Sequence, residues 1–433
     1  MKRIFSFILL VYLLIPIVVK TQENKSDFGI KFFGFIKNDF FFDSRQTVSA
    51  REGHFLLFPS NIKLDKDGKD IYAQPNFNFL SIQTRLTVKI NGPDAFGGKT
   101  SGIVEADFFG NENAAFVDAN GFRLRHAVVK VDWTNTQLLT GQFWHPLFQT
   151  ECFPFVISFN TGAPFQPFSR NPQIRLTQKI SKFKISATIL SQRDFTSPNG
   201  SASIRNSALP AGFVTVMFDT KNEDNKTAFV SGITGGYQVI KPLLFTTKGS
   251  NTYSTNQKLG AFSSEFFIKY QNSKFTSKVQ AVYGQNLFDV TMLGGYAVAN
   301  VIDTNQNTVS YTPINTGAAW FDLQSNGEKI QIGMLVGYTQ NLGSFENIAF
   351  YSNKVDGTDV TIRGADIHSV YRFSPRIVFK SGKLNFALEC EYTKAKYASK
   401  DQNGILSRNS KGVITATNDV VNIRGLFAVI YNF

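Results

Sequence analysis

Reactive side chains are few in this 433-residue chain, and they are dispersed. Its four histidines, His54, His126, His145 and His368, are scattered, and no nucleophile, base and orienter set is recognisable around them. Cys152 and Cys390 stand 238 positions apart with no C-x-x-C spacing, so two unpaired thiols are expected and no metal site. The stretch Gly92-Pro93-Asp94-Ala95-Phe96-Gly97-Gly98-Lys99-Thr100 echoes a phosphate loop, but Pro93 occupies the place of the first glycine, and no parallel βαβ unit surrounds it. It reads as a turn. Catalysis, cofactor binding and metal binding are therefore not expected, and a hydrolase is the weakest of the rival functions.

Charge is the chemistry that remains. In Leu80-Ser81-Ile82-Gln83-Thr84-Arg85-Leu86-Thr87-Val88-Lys89-Ile90-Asn91, apolar side chains share one phase, and Gln83, Arg85, Lys89 and Asn91 share the other. Side chains alternate across a strand, so the segment separates a greasy face from a charged one. The same alternation places Glu105 and Asp107, Arg123 and Arg125, Gln173 and Arg175, Arg372 and Arg376, and Arg424 on polar phases. Leu384, Phe386, Leu388, Cys390 and Tyr392 fall on an apolar phase, with Glu389 and Glu391 opposite; His126 falls on or near an apolar phase.

The elements that position these residues are strands. Sixteen period-two runs are read at 28–43, 77–91, 100–110, 121–133, 137–145, 172–180, 183–194, 208–221, 226–241, 258–271, 274–287, 308–324, 328–342, 363–380, 383–397 and 417–433. Their connections alternate between short and long, seven short and eight long. Closed membrane barrels have short periplasmic turns and long external loops, whereas a sandwich has no reason to sort its loops. The expected fold is thus an all-β, 16-stranded antiparallel transmembrane β-barrel with both termini on the side of the short turns.

The ends of the chain agree. Met1-Lys2-Arg3 precedes an apolar run from Ile4 to Val19, the pattern of a secretory signal, and 1–21 is read as that signal ahead of a single barrel domain at 22–433. Its removal takes Lys2, Arg3 and Lys20 and no acid, which lowers the formal charge of +13 by three. An exported basic chain argues against a nucleic-acid partner and for an anionic surface or solute. The final strand places Val421, Ile423, Phe427, Val429, Tyr431 and Phe433 on one face and ends on an aromatic, as assembly signals of outer-membrane barrels do. Phe40, Phe42, Trp133, Trp144, Tyr283, Trp320 and Tyr397 lie near strand ends, where such barrels carry aromatic girdles; ordinary core packing is the alternative.

A barrel of 16 strands is too wide for strand side chains to fill and leaves an aqueous channel. Arg85, Lys89, Glu105, Asp107, Arg123, Arg125, Arg175, Arg372, Arg376 and Arg424 are the expected pore-lining residues. Arginines outnumber acids among them, and rings of Arg and Lys select anions. The alternative is that each arginine pairs with a neighbouring acid and braces the wall. The third long connection, 146–171, carries six Phe in 26 residues and is too apolar to lie in water. It is expected to fold into the lumen as a constriction loop bearing Phe153, Phe155, Phe159, Phe165, Phe168 and Arg170, or else to cover a subunit contact.

The collinear segments Gly34-Phe35-Ile36-Lys37, Glu105-Ala106-Asp107-Phe108-Phe109-Gly110, Leu124-Arg125-His126-Ala127, Leu139-Thr140-Gly141-Gln142-Phe143-Trp144 and Asn171-Pro172-Gln173-Ile174-Arg175 resemble the DcaP-like outer-membrane porins over about residues 30–180. The resemblance implies a trimeric, sixteen-stranded porin of a Gram-negative outer membrane that takes up dicarboxylate-like small anions. It also implies Arg125 and Arg175 as pore-wall residues beside Glu105 and Asp107. The Phe-rich loop and the missing N-terminal coiled coil are departures from that family. Together the readings predict passive diffusion of small hydrophilic solutes, with outer-membrane lipid and small anions as partners; a plugged or adhesive barrel is the principal alternative.

Overall fold

A computed structural model describes residues 28–110, 121–191, 202–222, 226–350 and 362–433. The expected signal at 1–21 lies outside the described residues, as does most of the turn after Asn222. Sixteen strands form the wall: β1 Gly29–Asp43, β2 in two pieces, Asn76–Leu80 and Arg85–Asn91, β3 Lys99–Asp107, β4 Arg123–Asp132, β5 Thr136–Trp144, β6 Arg170–Ile180, β7 Phe183–Leu190 and β8 Ala211–Asn222. They continue as β9 Thr227–Ile240, β10 Leu259–Gln271, β11 Phe275–Gln285, β12 Thr308–Ser325, β13 Ile330–Gly343, β14 Ile367–Ser381, β15 Leu384–Ala398 and β16 Thr417–Asn432. Each pairs antiparallel with its neighbours in sequence.

Closure is made by β1 against β16, from Phe35 opposite Asn432 to Asp43 opposite Arg424. On its other side β1 pairs with both pieces of β2. No edge is left, which is the condition for a sheet to stand in hydrocarbon, where an unpaired N–H or C=O has no water to turn to. The faces follow the alternation. Phe386, Leu388 and Ile423 are 41%, 50% and 46% exposed on the outer surface, whereas Glu389 and Glu391 between them are buried inside. Cys152 and Cys390 are both free thiols, the first buried and the second exposed.

The interior is not an empty tube. The third connection, L3 (145–169), folds inward, and Phe148, Phe159, Phe165 and Phe168 join a buried apolar cluster with Trp320 of β12, Leu335 of β13, Val370 of β14 and Tyr397 of β15. The first connection, L1 (44–75), does the same, which the sequence reading did not anticipate. Its hairpin of Thr47–Ala50 and Phe55–Pro59 brings Phe55, Leu57 and Phe58 into the same cluster. The run Phe55-Leu56-Leu57-Phe58 was the available signal, since four successive apolar residues in a loop need cover on both faces. The sixth connection adds the short turn Leu287–Val290 and the strand Gly294–Asp303, which pairs with β12 and with Ile362–Arg363.

One glycine is required by this packing. Gly337 of β13 lies under the Phe165 ring of L3, and a Cβ there would collide with it. The substitution Gly337→Leu should therefore lift L3 off the wall, so that chymotrypsin cuts between Phe153 and Phe168 in a barrel that otherwise stays intact; unchanged resistance would contradict this packing. On the outer face, Leu388→Arg should lower stability, by up to about 2–4 kcal/mol, the cost of a cation on the lipid face of a barrel strand. The urea midpoint of the refolded barrel in lipid reads that cost.

Candidate functional site: the charged lumen wall

Two of the charged regions on the lumen wall differ in what covers them. The first is built by β2 to β6. Arg123 meets Asp107 with two parallel bonds, Nε to Oδ1 at 3.0 Å and Nη2 to Oδ2 at 2.8 Å. Arg125 donates from Nε to Glu105 at 2.7 Å and from Nη1 to Asp107 at 2.8 Å. Arg85 lies 3.6 Å from Glu105 across the β2–β3 pair. Two carboxylates thus hold three guanidiniums. Arg175 adds a fourth guanidinium, donating to the Trp144 carbonyl at 3.0 Å and to Gln173 at 2.9 Å. Aromatic rings fill the space between these cations: Arg85 lies over Phe35 at 5.0 Å, Arg125 over Trp144 at 5.7 Å and Arg175 over Phe143 at 5.8 Å. A cation over a ring face is attracted by the ring quadrupole, so these rings hold the guanidiniums in place without neutralising them.

Local backbone geometry decides who belongs to this region. The β3–β4 register slips between Glu105 and Ala106, so Arg125 is the extra residue of a bulge. A bulge interrupts alternation, and Arg125 and His126 are consequently both buried inside. The expectation that His126 lies on or near the lipid side is corrected by this bulge. Its ring packs 5.0 Å from Phe143 and 5.3 Å from Trp144, with Nε2 3.8 Å from Glu105.

The side chains of Arg85 and Arg123 keep 22% and 15% of their exposure, while Arg125 and Asp107 are buried. Lys89 is exposed near the short-turn end of β2. A cavity of about 340 Å³ lies against this wall, with Arg85, Arg125, Phe35 and Trp144 on one side and Phe153 and Phe155 of L3 on the other. Arg170, at the start of β6, is buried over the rings of Trp144 and Phe168. Phe153 and Phe155 are held from across the lumen by Lys278 of β11, whose Nζ donates to the Phe153 carbonyl at 2.8 Å and lies over the Phe155 ring.

The second region spans β14, β15, β16 and β1, and L1 and L3 cover it. Arg372 and Arg424 are fully buried. Arg424 holds Asp43 through Nε at 2.9 Å and Nη2 at 2.6 Å. Arg372 lies 3.5 Å from Glu391. Arg376 pairs with Asp322 of β12 at 2.8 Å, out of reach of solvent. Lys37 and Asp39 form a buried pair at 3.2 Å on β1, and His54 of L1 stands 3.3 Å from Asp39. Lys37, Asp39, Asp43 and Asp322 were not singled out by sequence reasoning. Lys31, Lys37, Asp39 and Asp43 share one phase of a mostly apolar β1, and this was the sign that its inner face carries charge. Among the described residues, no three His, Cys, Asp or Glu side chains are grouped as a metal ion would require.

No protein-family model matches the chain, and no curated protein does. Solved structures do. The crystal structure of the outer membrane channel DcaP of Acinetobacter baumannii aligns with a TM-score of 0.62 at 14% identity, over 96% of this chain and 100% of that one. Outer-membrane expressed OmpT of Vibrio cholerae aligns with a TM-score of 0.51 at 12% identity, over 95% and 100% of the two chains. A trimer form of in-vitro folded OmpT from the same organism gives a TM-score of 0.51 at 11% identity, over 94% and 100%. Identities this low speak for architecture. The chain has the closed, sixteen-stranded fold of porin-type outer-membrane channels.

Proposed function

We propose that this chain is an outer-membrane porin of a Gram-negative bacterium, exported by a signal at 1–21, that passes small hydrophilic solutes by diffusion and prefers small anions such as dicarboxylates. The observation that carries the reading is the wall of β2 to β6. Arg85, Arg123 and Arg125 gather there around Glu105 and Asp107, Arg175 adds a guanidinium farther along the wall on β6, and part of that surface remains exposed. Excess guanidinium in a low-dielectric lumen raises the local concentration of anions, and its planar fork suits carboxylates. Lys89 extends the same wall toward the short-turn end. The trimer form of OmpT supports a homotrimer as the assembly.

A second reading has its own support. The apolar cluster that joins L1 and L3 to β12–β15 lies inside the lumen, as the core of a plugged barrel would. Reversal potentials of refolded protein in a planar bilayer under a salt gradient separate the two. The porin reading expects discrete openings with anion selectivity, and Arg85→Glu should move the reversal potential toward cation selectivity. A cation-selective wild type would overturn the anion preference, and a folded barrel without openings would favour the plug.

A further inference from the structure

The buried charges of β14, β15, β16 and β1 spend their hydrogen bonds on the two lumen loops. Arg372 donates from Nη1 to the Ala163 carbonyl of L3 at 2.9 Å. From Nη2 it donates to the Leu56 and Leu57 carbonyls of L1, at 3.3 and 2.9 Å. Arg424 donates to the His54 and Gly53 carbonyls of L1 at 3.3 and 2.8 Å. Glu389 Oε2 accepts the backbone N–H groups of Ile157 and Ser158 at 2.6 and 2.8 Å, and its other oxygen accepts the Ser374 hydroxyl. Glu391 accepts the Asn160 side-chain amide at 2.6 Å. Lys37 donates to the Ile157 carbonyl at 2.6 Å.

These bonds serve both partners. Loop backbone inside a lumen lies off the ladders of the wall, so the N–H and C=O groups that its own turns and hairpin leave unpaired need partners from elsewhere. The wall charges, closed off from water, need hydrogen bonds to remain charged. Donors go to loop carbonyls and acceptors to loop amides, and Arg372 reaches L1 and L3 at once. Side chains so occupied and enclosed are shielded from a passing solute, whereas Arg85 on β2 keeps part of its surface exposed.

We propose that Arg372, Glu389, Glu391 and Arg424 are positioning residues: they clamp L1 and L3 together against β14–β16 and thereby set the width of the channel, without contacting the solute. The inference rests on the channel reading, since width is read through conductance. The test compares refolded wild type with Glu389→Ala and, from the loop side, Asn160→Ala, which leaves every wall charge in place.

Single-channel conductance should rise by about twofold or more in Glu389→Ala, and less in Asn160→Ala, because a wider lumen offers more aqueous cross-section. The reversal potential should stay at the wild-type value in both. An unchanged conductance in both variants would overturn the clamp, and so would a shifted reversal potential at constant conductance, because that outcome makes these charges solute contacts. If wild type is silent and the variants conduct, the clamp stands and the native channel reading fails. Heat-modifiable migration on gels confirms that each barrel is folded, and Asn160→Ala serves alone if loss of the Glu389 carboxylate prevents assembly.

Discussion

Buried charge on the inner face of four adjacent strands is the constraint on which the arrangement of this lumen depends. Arg372, Glu389, Glu391, Arg424, Asp43, Asp39 and Lys37 lie side by side where β14, β15, β16 and β1 meet, all of them enclosed. Ions removed from water without compensation are among the costliest features a fold can carry. Pairing between strands, as in Arg424 with Asp43, supplies part of the compensation. Loop backbone supplies the rest, and this draws L1 and L3 into the barrel. Once inside, their phenylalanines meet Trp320, Leu335 and Val370, and apolar burial reinforces what the charges begin.

A division of labour among the arginines follows. Among the described residues of β2 to β6, guanidiniums outnumber carboxylates and rest on aromatic rings beside open space. On β14 to β16 the arginines are matched by acids and carbonyls and covered. The sequence offered both readings, solute contact and wall brace, for every inward arginine. The structure gives one geometry to β2–β6 and the other to the adjoining strands β14–β16 and β1, and the deciding variable is whether a loop lies over the residue.

Much of the barrel was legible because a period of two is written directly into each strand. The reading of 383–397 corresponds to Leu384–Ala398, and 308–324 to Thr308–Ser325. What escaped was non-local. The bulge at Arg125 is an irregularity between β3 and β4 that no single strand records, and it carried His126 to the inside. The inward path of L1 depends on Arg372 and Arg424, more than 300 positions away from the carbonyls they hold. L3 was recognisable because six phenylalanines in 26 residues demand cover wherever they go. Asp322 illustrates the same limit: nothing near it in the chain indicates that Arg376 is its partner.

Amide hydrogen exchange of the protein in lipid nanodiscs tests the account most directly, because the amides of Ile157 and Ser158 are the groups that Glu389 captures. If L3 is seated on the charged wall, peptides covering Ile157 and Ser158 exchange as slowly as those of β15. Exchange there as fast as in the exposed turn around Asn403 would mean that L3 is not held by the wall, and the account of the lumen would fail.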